Sequence, residues 1–139
     1  MIGAGITLYE ALNAAAELEK SGINARVLDP FTVKPIDSAA IILNATQCGG
    51  RIVVVEDHYK YILTAYSKIY MYDIKSTFFF RQGGLGEAVL SAVAEQRNIV
   101  VKHLGVDKVP RSGPPSVLID MFGISARCII AAANDILKL

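Results

Sequence analysis

The sequence is poor in the residues that build metal sites, disulfide scaffolds and highly charged surfaces. Its 139 residues include no Trp, two Cys and two His, and 14 basic residues against 13 acidic ones give a net charge of +1. So small a net charge provides no global field for nucleic acid or an anionic membrane. Charged residues are 19% of the chain and hydrophobic residues 53%, which excludes intrinsic disorder. The length fits a single domain.

Cysteine spacing argues against a metal site. Cys48 and Cys128 lie 80 positions apart, form no CxxC pair and have no His at ligand spacing. We therefore expect two reduced thiols in an intracellular, cytoplasmic protein. The start of the chain has no basic segment or cleavage site, so no signal peptide is expected. No run of about 18 uncharged apolar residues is present, so no membrane span is expected.

The few aromatic residues are unevenly distributed. Seven of the 11 Tyr and Phe residues lie in the segment 60–82, which also holds four basic residues and one Asp. The spacing of Ile62, Tyr66 and Ile69 predicts a helix near 61–72 with one apolar side. An interfacial amphipathic segment is the alternative interpretation.

The rest of the chain alternates β-branched runs with Ala-rich stretches of helical spacing. Residues 2–5 are predicted to be the end of a strand and a turn. Strands are predicted at 24–28, 51–56 and 99–104, helices at 9–21, 37–47, 84–97 and 116–121, and a last helix after Ser125 that ends at Leu139. The run 52–55 is typical of a strand that is covered on both faces. This alternation predicts an α/β fold, namely a three-layer, open, mostly parallel sheet with helices on both faces.

Polar residues before the predicted helices indicate where each helix begins. Thr7 is the predicted N-cap of the first helix, with Glu10 as its capping-box partner. Asp37 is the predicted N-cap of the second helix and Ser125 that of the last.

Gly3 and Gly5 allow two interpretations. A dinucleotide-binding loop would need a third glycine, but Leu8 stands there, and the nearest acidic candidate, Asp29, precedes a proline. A tight turn between strand and helix is therefore the preferred interpretation. An independent nucleotide-binding enzyme would rest on these two glycines alone.

Ionisable residues follow the predicted strand 51–56. Glu56, Asp57 and His58 could perform acid–base chemistry or bind a metal ion. Successive side chains on an extended chain point in alternating directions, however, so we do not expect the three to converge. Capping and interface hydrogen bonds are the preferred roles. His103 is predicted to be a strand histidine with a satisfied hydrogen bond.

Two loops offer further candidates. Gly83, Gly84 and Gly86 precede a helix whose N-terminus could hold an anion, but a Walker A loop is excluded because no Lys-Ser/Thr pair follows. Arg111 on a proline-rich loop could recognise phosphate, with a surface or interface arginine as the preferred role. No complete active site is visible, so no catalytic, cofactor-binding or metal-binding residue is assigned.

At these same motifs the chain resembles the C-terminal domain of transketolases, above all those of animal transketolases and transketolase-like proteins. The resemblance covers nearly everything except 60–82. The stretches that carry it are IGAGITLYEAL (2–12), RVLDPFTVKPID (26–37), GRIVVVEDHY (50–59), GGLGEAV (83–89), VPRSG (109–113) and MFGISAR (121–127).

The resemblance implies a transferase family that moves a two-carbon ketol unit between sugar phosphates in the pentose phosphate pathway. That family uses thiamine diphosphate and a divalent metal, usually magnesium, and acts as a homodimer of three-domain subunits. It also implies that the cofactor lies between the other two domains. The C-terminal domain would then carry no thiamine ligand and no principal catalytic residue, and we expect this chain to bind no cofactor.

The chain departs from the family pattern at two places. Most of the first strand is absent, so we expect that strand to be truncated within a single domain, 1–139. The segment 60–82 is an atypical insertion where the family has about two residues. An unusual splice form or a gene-model error is one hypothesis, to be tested by transcripts that join the codons of Tyr59 and Gly83.

Two functions follow from these observations. The first is a structural, dimer-supporting C-terminal domain of a transketolase, inactive alone, whose partners are the other domains and a second subunit. The alternative is a stand-alone binding or regulatory module whose insertion forms an interaction surface. Neither nucleic acid nor a membrane is an expected partner.

Overall fold

The computed structural model describes residues 1–59, 83–109 and 111–138, so the helix expected at 61–72 lies outside the described residues. Within the described ranges the chain forms three strands and five helices. In chain order they are β1 (Ile2–Gly3), α1 (Ile6–Lys20), α2 (Ser38–Gln47), β2 (Arg51–Tyr59), α3 (Leu85–Ala92), β3 (Val100–Val106), α4 (Pro115–Met121) and α5 (Ala126–Ile136).

The sheet is parallel, with β2 between β1 and β3. Alternate residues of β2 face opposite sides. Val53 and Val55 pack into one apolar cluster with α1 and α5, and Ile52 and Val54 pack into a second cluster with α2 and α3. All four are at most 4% exposed, as expected for a strand covered on both faces. The predicted three-layer α/β fold is confirmed.

The strand predicted at 24–28 does not form. Only Leu28 bridges to Ile2, with its backbone N–H donating to the Met1 carbonyl oxygen at 2.9 Å. β1 is two residues long and offers no longer ladder, so residues 24–27 have no strand to pair with. Helix boundaries also shift: α1 begins at Ile6 rather than at residue 9, and α3 ends at Ala92 rather than at residue 97.

Of the three predicted caps, only that of α2 is confirmed. The Asp37 carboxylate accepts the backbone N–H of Ala40 at 2.9 Å. Thr7 is not a cap, because α1 begins one residue before it and its side chain is fully buried. The Thr7 hydroxyl lies 2.9 Å from the Ala4 carbonyl oxygen and 3.0 Å from that of Val55, so it joins the start of α1 to β2.

Glu10 caps a different helix from the one predicted. Its Oε2 accepts the backbone N–H of Ala126 at 2.7 Å, at the first residue of α5. Ser125 precedes α5, but its hydroxyl donates to Asp120 Oδ1 at 2.6 Å and does not cap the helix. A carboxylate from α1 thus satisfies an N-terminal N–H of α5, a long-range contact that the local capping-box pattern cannot reveal.

The stretch Pro115–Ile136 has the length and mean hydropathy, 1.7, of a membrane-crossing helix. The structure divides it into α4 and α5 around Gly123, whose φ is 74°. Ile129 and Ile136 of α5 are buried in the core of the domain. Internal packing therefore accounts for the apolar composition of α5, whereas no residue of α4 is buried.

A cleft opens beside the start of β1. The pairing of β2 with β1 begins at Val54, whereas its pairing with β3 begins at Arg51. The space opposite Arg51 and Ile52 is bounded on its other side by residues 24–26, and it is lined by apolar residues of α1, α2 and α5. The Met1 ammonium lies at this cleft and donates to the Arg26 carbonyl oxygen at 2.6 Å, and burial lowers the pKa of this amino group.

Replacing Glu10 by Ala should lower the free energy of unfolding by about 1 kcal/mol, because the first N–H of α5 loses its acceptor. Urea unfolding followed by circular dichroism measures the change. Glu17→Ala is the control, since its ion pair with Lys20 is exposed and contributes little. Equal losses in the two variants would show that Glu10 has no capping role.

Adding Val-Ile-Val ahead of Met1 should raise the melting temperature. Three extended residues span about 10 Å, enough to continue β1 through the cleft, and the extension also removes the half-buried ammonium. A Gly-Ser-Gly extension removes the same charge but fills no apolar space, so it separates the two effects. Equal melting temperatures for the two extensions would show that the cleft does not accommodate a continuation of β1.

Candidate functional site

The most buried ionisable pair in the described part of the chain lies across two strands. Glu56 Oε1 of β2 is 2.6 Å from His103 Nε2 of β3, and the two side chains are 6% and 11% exposed. Val54 is level with His103 in the ladder, and Glu56 lies two residues further along, on the same face of the sheet. A carboxylate can only accept, so the imidazole N–H donates.

The Glu56 carboxylate also lies at the N-terminus of α3. It accepts the backbone N–H groups of Leu85 and Gly86. A Cβ at Gly84 would collide with this carboxylate, and a Cβ at Gly86 would collide with the His103 ring. The glycines of the sequence motif therefore allow a strand carboxylate and its histidine to approach the helix closely.

The N-terminus of α3 was a candidate anion-binding site, and this contact shows which anion lies there. The helix dipole and free N–H groups do attract a negative charge there, but the charge is the chain's own Glu56. Glu87 adds a second carboxylate, whose Oε2 accepts the Gly83 N–H at 2.8 Å. The nearby N–H groups thus have acceptors without a bound phosphate.

Burial raises the pKa of Glu56, but the opposing effects are together larger. The hydrogen bond and charge of His103, with the two N–H groups of α3, hold the pKa of the carboxyl below its ordinary value. Glu56 is therefore ionised at neutral pH and is unsuited to act as a general acid. Its role is to join β2, β3 and α3.

The other two residues of the acidic–histidine motif lie on different sides: a Cβ at Gly84 would contact His58 as well as Glu56, whereas Asp57 lines a groove with Ile6 and Arg111. Asp57 and His58 are exposed, and the His58 ring makes an edge contact with Tyr59 at 6.4 Å between centroids. The prediction that the three side chains do not converge is confirmed. His103 is confirmed as a strand histidine with a satisfied hydrogen bond. Sequence reasoning missed that its partner is Glu56, because the register between strands is not encoded locally.

The remaining candidates lie apart from this pair. A Cβ at Gly3 would lie 2.9 Å from the Thr7 carbonyl oxygen, and Gly5 has a φ of 57°, as the tight-turn interpretation requires. Arg111 is exposed on its loop. Cys48 and Cys128 are free thiols, as predicted, with Cys128 Sγ 3.4 Å from the Ser125 hydroxyl.

The donor set does not fit the metal or the cofactor of the family that the chain resembles. Among residues 1–59, 83–109 and 111–138, no three His, Cys, Asp or Glu side chains lie close enough to share a metal ion. Glu56, the one buried acidic residue in these ranges, is already engaged by His103 and α3. The described residues therefore offer no cradle of their own for a magnesium diphosphate.

Replacing Glu56 by Gln should lower the free energy of unfolding by about 2 kcal/mol at pH 7, because a charged acceptor of several hydrogen bonds is lost. The folded pKa lies below the unfolded one, so the contribution is complete above about 4.5, the ordinary value, and is lost as the pH falls below it. The difference in the free energy of unfolding between wild type and Glu56→Gln should therefore become smaller toward acid pH, which urea unfolding at each pH measures.

Glu95→Gln serves as the control for this experiment, because Glu95 is exposed and should give a small loss that does not change with pH. If the difference in the free energy of unfolding between wild type and Glu56→Gln stays constant from pH 7 to pH 3, the ionised state assigned to Glu56 is wrong.

Comparison with known proteins agrees with this geometry. The family described as "Transketolase, C-terminal domain" matches residues 1–63. The chain is 50% identical over 135 residues to transketolase-like protein 2 of Mus musculus, covering 97% of this chain and 18% of that protein. It is 45% identical over 137 residues to human transketolase, covering 99% of this chain and 19% of the enzyme. The chain thus spans about a fifth of the length of these curated relatives.

A solved structure described as "Split gene transketolase, inactive beta4 tetramer" superimposes with a TM-score of 0.77. It is 32% identical to this chain and covers 99% of it, whereas this chain covers 38% of that one. Each of these matches covers at least 97% of this chain. The chain belongs to the transketolase family as a C-terminal-type domain.

Proposed function

We propose that this chain is the structural assembly domain of a transketolase-type enzyme and is inactive alone. One observation carries the proposal: the strand-end carboxylate that could have served chemistry, Glu56, is consumed by His103 and the N-terminus of α3. A buried carboxylate whose hydrogen-bond donors come from the domain itself stabilises the fold rather than facing a substrate.

The remainder of a transketolase-type protein would perform the reaction. The chain spans only 18% to 20% of its curated relatives, so most of such a protein lies outside it. We assign the transfer of a two-carbon ketol unit, and the binding of thiamine diphosphate and magnesium, to those other domains. We also propose that the protein is a homodimer in the cytoplasm. The structure described as an inactive β4 tetramer supports this division, because it contains this fold and is described as assembled but inactive.

The alternative is a stand-alone binding or regulatory module. It would use the segment 60–82 as its interaction surface, and the 13 apolar residues among those 23 favour some partner for them. The two functions differ in one respect: only the first requires that this domain replace its counterpart in an active enzyme.

The purified chain should show no ketol transfer between sugar phosphates and no heat of binding with thiamine diphosphate and magnesium. Coupled spectrophotometric assays and calorimetry measure these quantities, with human transketolase as the positive control. Turnover by the chain alone would overturn the proposal.

A domain exchange tests the positive half of the proposal. The chain replaces the matching region of human transketolase, and the hybrid should dimerise and retain ketol transfer. Human transketolase without that region is the control and should lose both properties. A second hybrid joins Tyr59 directly to Gly83 and separates the effect of the insertion. A folded second hybrid that stays inactive would favour the stand-alone module.

A further inference from the structure

Main-chain groups of β2 point into the cleft beside β1. In a parallel sheet, successive residues of a strand direct their N–H and C=O groups to opposite neighbours. The Gly50 carbonyl oxygen accepts the Val100 N–H of β3 at 2.8 Å, so Arg51 and Val53 direct their main-chain groups to the other side, toward β1. The pairing of β1 with β2 begins only at Val54. The N–H and C=O of Arg51 and the N–H of Val53 therefore face the cleft.

The opposite border of the cleft continues the same kind of ladder. The Leu28 N–H donates to the Met1 carbonyl oxygen at 2.9 Å, and the Met1 ammonium donates to the Arg26 carbonyl oxygen at 2.6 Å, as in a parallel pair of strands. One step further back, this ladder would use the N–H of Arg26 and the C=O of Asn24. Neighbouring strands lie about 4.8 Å apart, so a space with chain on both sides holds a single strand.

The side chains around the cleft are apolar above and below this strand position. Ile2 packs into the cluster that contains Ile41 of α2, and a residue two positions before it would share that side. Met1 packs against the cluster that contains Leu18 of α1 and Ile136 of α5, and a residue two positions before it would share this second side. A strand in the cleft therefore needs apolar side chains in both directions.

The charged groups at the cleft are all cations. Among the described residues that line it, these groups are the Met1 ammonium, Arg26 and Arg51, and none of those lining residues is an Asp or a Glu. The ammonium lies where the open part of the cleft begins, and burial lowers the pKa of this amino group because its charge has lost hydration. An anion beside it would compensate that loss. The cleft is thus complementary to an apolar segment that ends in a negative charge.

We propose that this cleft binds the carboxyl-terminal residues of another polypeptide as an added strand, parallel to β2. The last residue of that polypeptide lies opposite Ile52 and donates its N–H to the Arg51 carbonyl oxygen. Its carboxylate accepts from the Val53 N–H and from the Met1 ammonium. Strand addition and capture of a terminal carboxylate are both recurring modes of peptide recognition. The partner is therefore a protein whose free carboxyl terminus is extended, apolar and β-branched.

A polypeptide end suits the cleft better than a fatty acid. Both ligands would place an apolar chain between the helices and a carboxylate beside the ammonium. An aliphatic chain cannot form hydrogen bonds, however, so it would leave the main-chain groups of Arg51 and the Arg26 N–H buried without partners. This inference goes beyond the proposed assembly function and does not depend on it.

Titration of the full chain with a peptide that ends in Val-Ile-Val and a free carboxylate tests the proposal. Lysines in the N-terminal half keep the peptide soluble, and a fluorescein on its N-terminus reports binding by anisotropy. The same peptide with a carboxyl-terminal amide should bind about tenfold more weakly, because the charge-assisted hydrogen bonds are lost. A peptide of the reversed sequence, with the lysines at the carboxyl end, is the control for unspecific apolar binding and should not bind.

The chain extended by Val-Ile-Val ahead of Met1 is the matched blocked variant. Its own residues would fill the cleft, so it should not bind the peptide. Amide hydrogen exchange then locates the peptide on the wild-type chain. At saturation the N–H groups of Arg26 and Val53 should exchange about tenfold more slowly. The N–H of Val117 on α4, a helix that does not line the cleft, is the reference and should be unchanged.

Four results would show that the inference is wrong: no binding to a wild-type chain that is folded by circular dichroism, equal affinity of the carboxylate and amide peptides, undiminished binding to the blocked variant, or no slowing at Arg26 and Val53. Displacement of the peptide by decanoate as readily as by unlabelled peptide would make the cleft a fatty-acid site and would also exclude strand addition. None of these measurements involves ketol transfer, so failure of this inference and failure of the proposed function are distinguishable.

Discussion

The contact of the Glu56 carboxylate with His103 and the α3 N-terminus is the constraint on which the rest of the domain depends. It joins the central strand to its neighbour and holds the N-terminus of α3 against the sheet. This contact requires glycine at the N-cap of α3, Gly84, and within α3, Gly86. Side chains at these positions would occupy the space of the carboxylate and the imidazole. A buried charge of this kind is tolerated because hydrogen bonds from three groups compensate its lost hydration.

Local sequence patterns predicted the elements of this domain better than the contacts between them. The β-branched run 52–55 and the Ala-rich helical spacing were sufficient for the sheet and its two helical layers, because burial periodicity is local. The partners of Glu10 and Glu56 were not predictable, since they lie 116 and 47 residues away and depend on strand register and helix placement. The strand at 24–28 failed for the same reason, because a strand exists only where a neighbour pairs with it.

The site shows the same limit from the side of chemistry. Residue type alone indicated four candidates for catalysis or anion binding, namely Glu56, Asp57, His58 and the glycine motif. The structure distinguishes them by what each group already binds: Glu56 is consumed internally, and Asp57 faces solvent. Residue type thus indicated that polar groups lie at the strand ends. The hydrogen bonds of Glu56 were needed to show that these groups hold the fold together.

The same contact holds together the two ends of the segment 60–82. Glu56 and His58 precede the segment 60–82, Gly84 follows it, and a Cβ at Gly84 would touch both side chains. The two ends of the segment are therefore held together by the folded domain. On the prediction that the family has about two residues here, a length of 23 is between three and four doublings and costs only about 2 kcal/mol of closure entropy. A charged group fixed at the base of the connection thus holds its two ends together whatever its length.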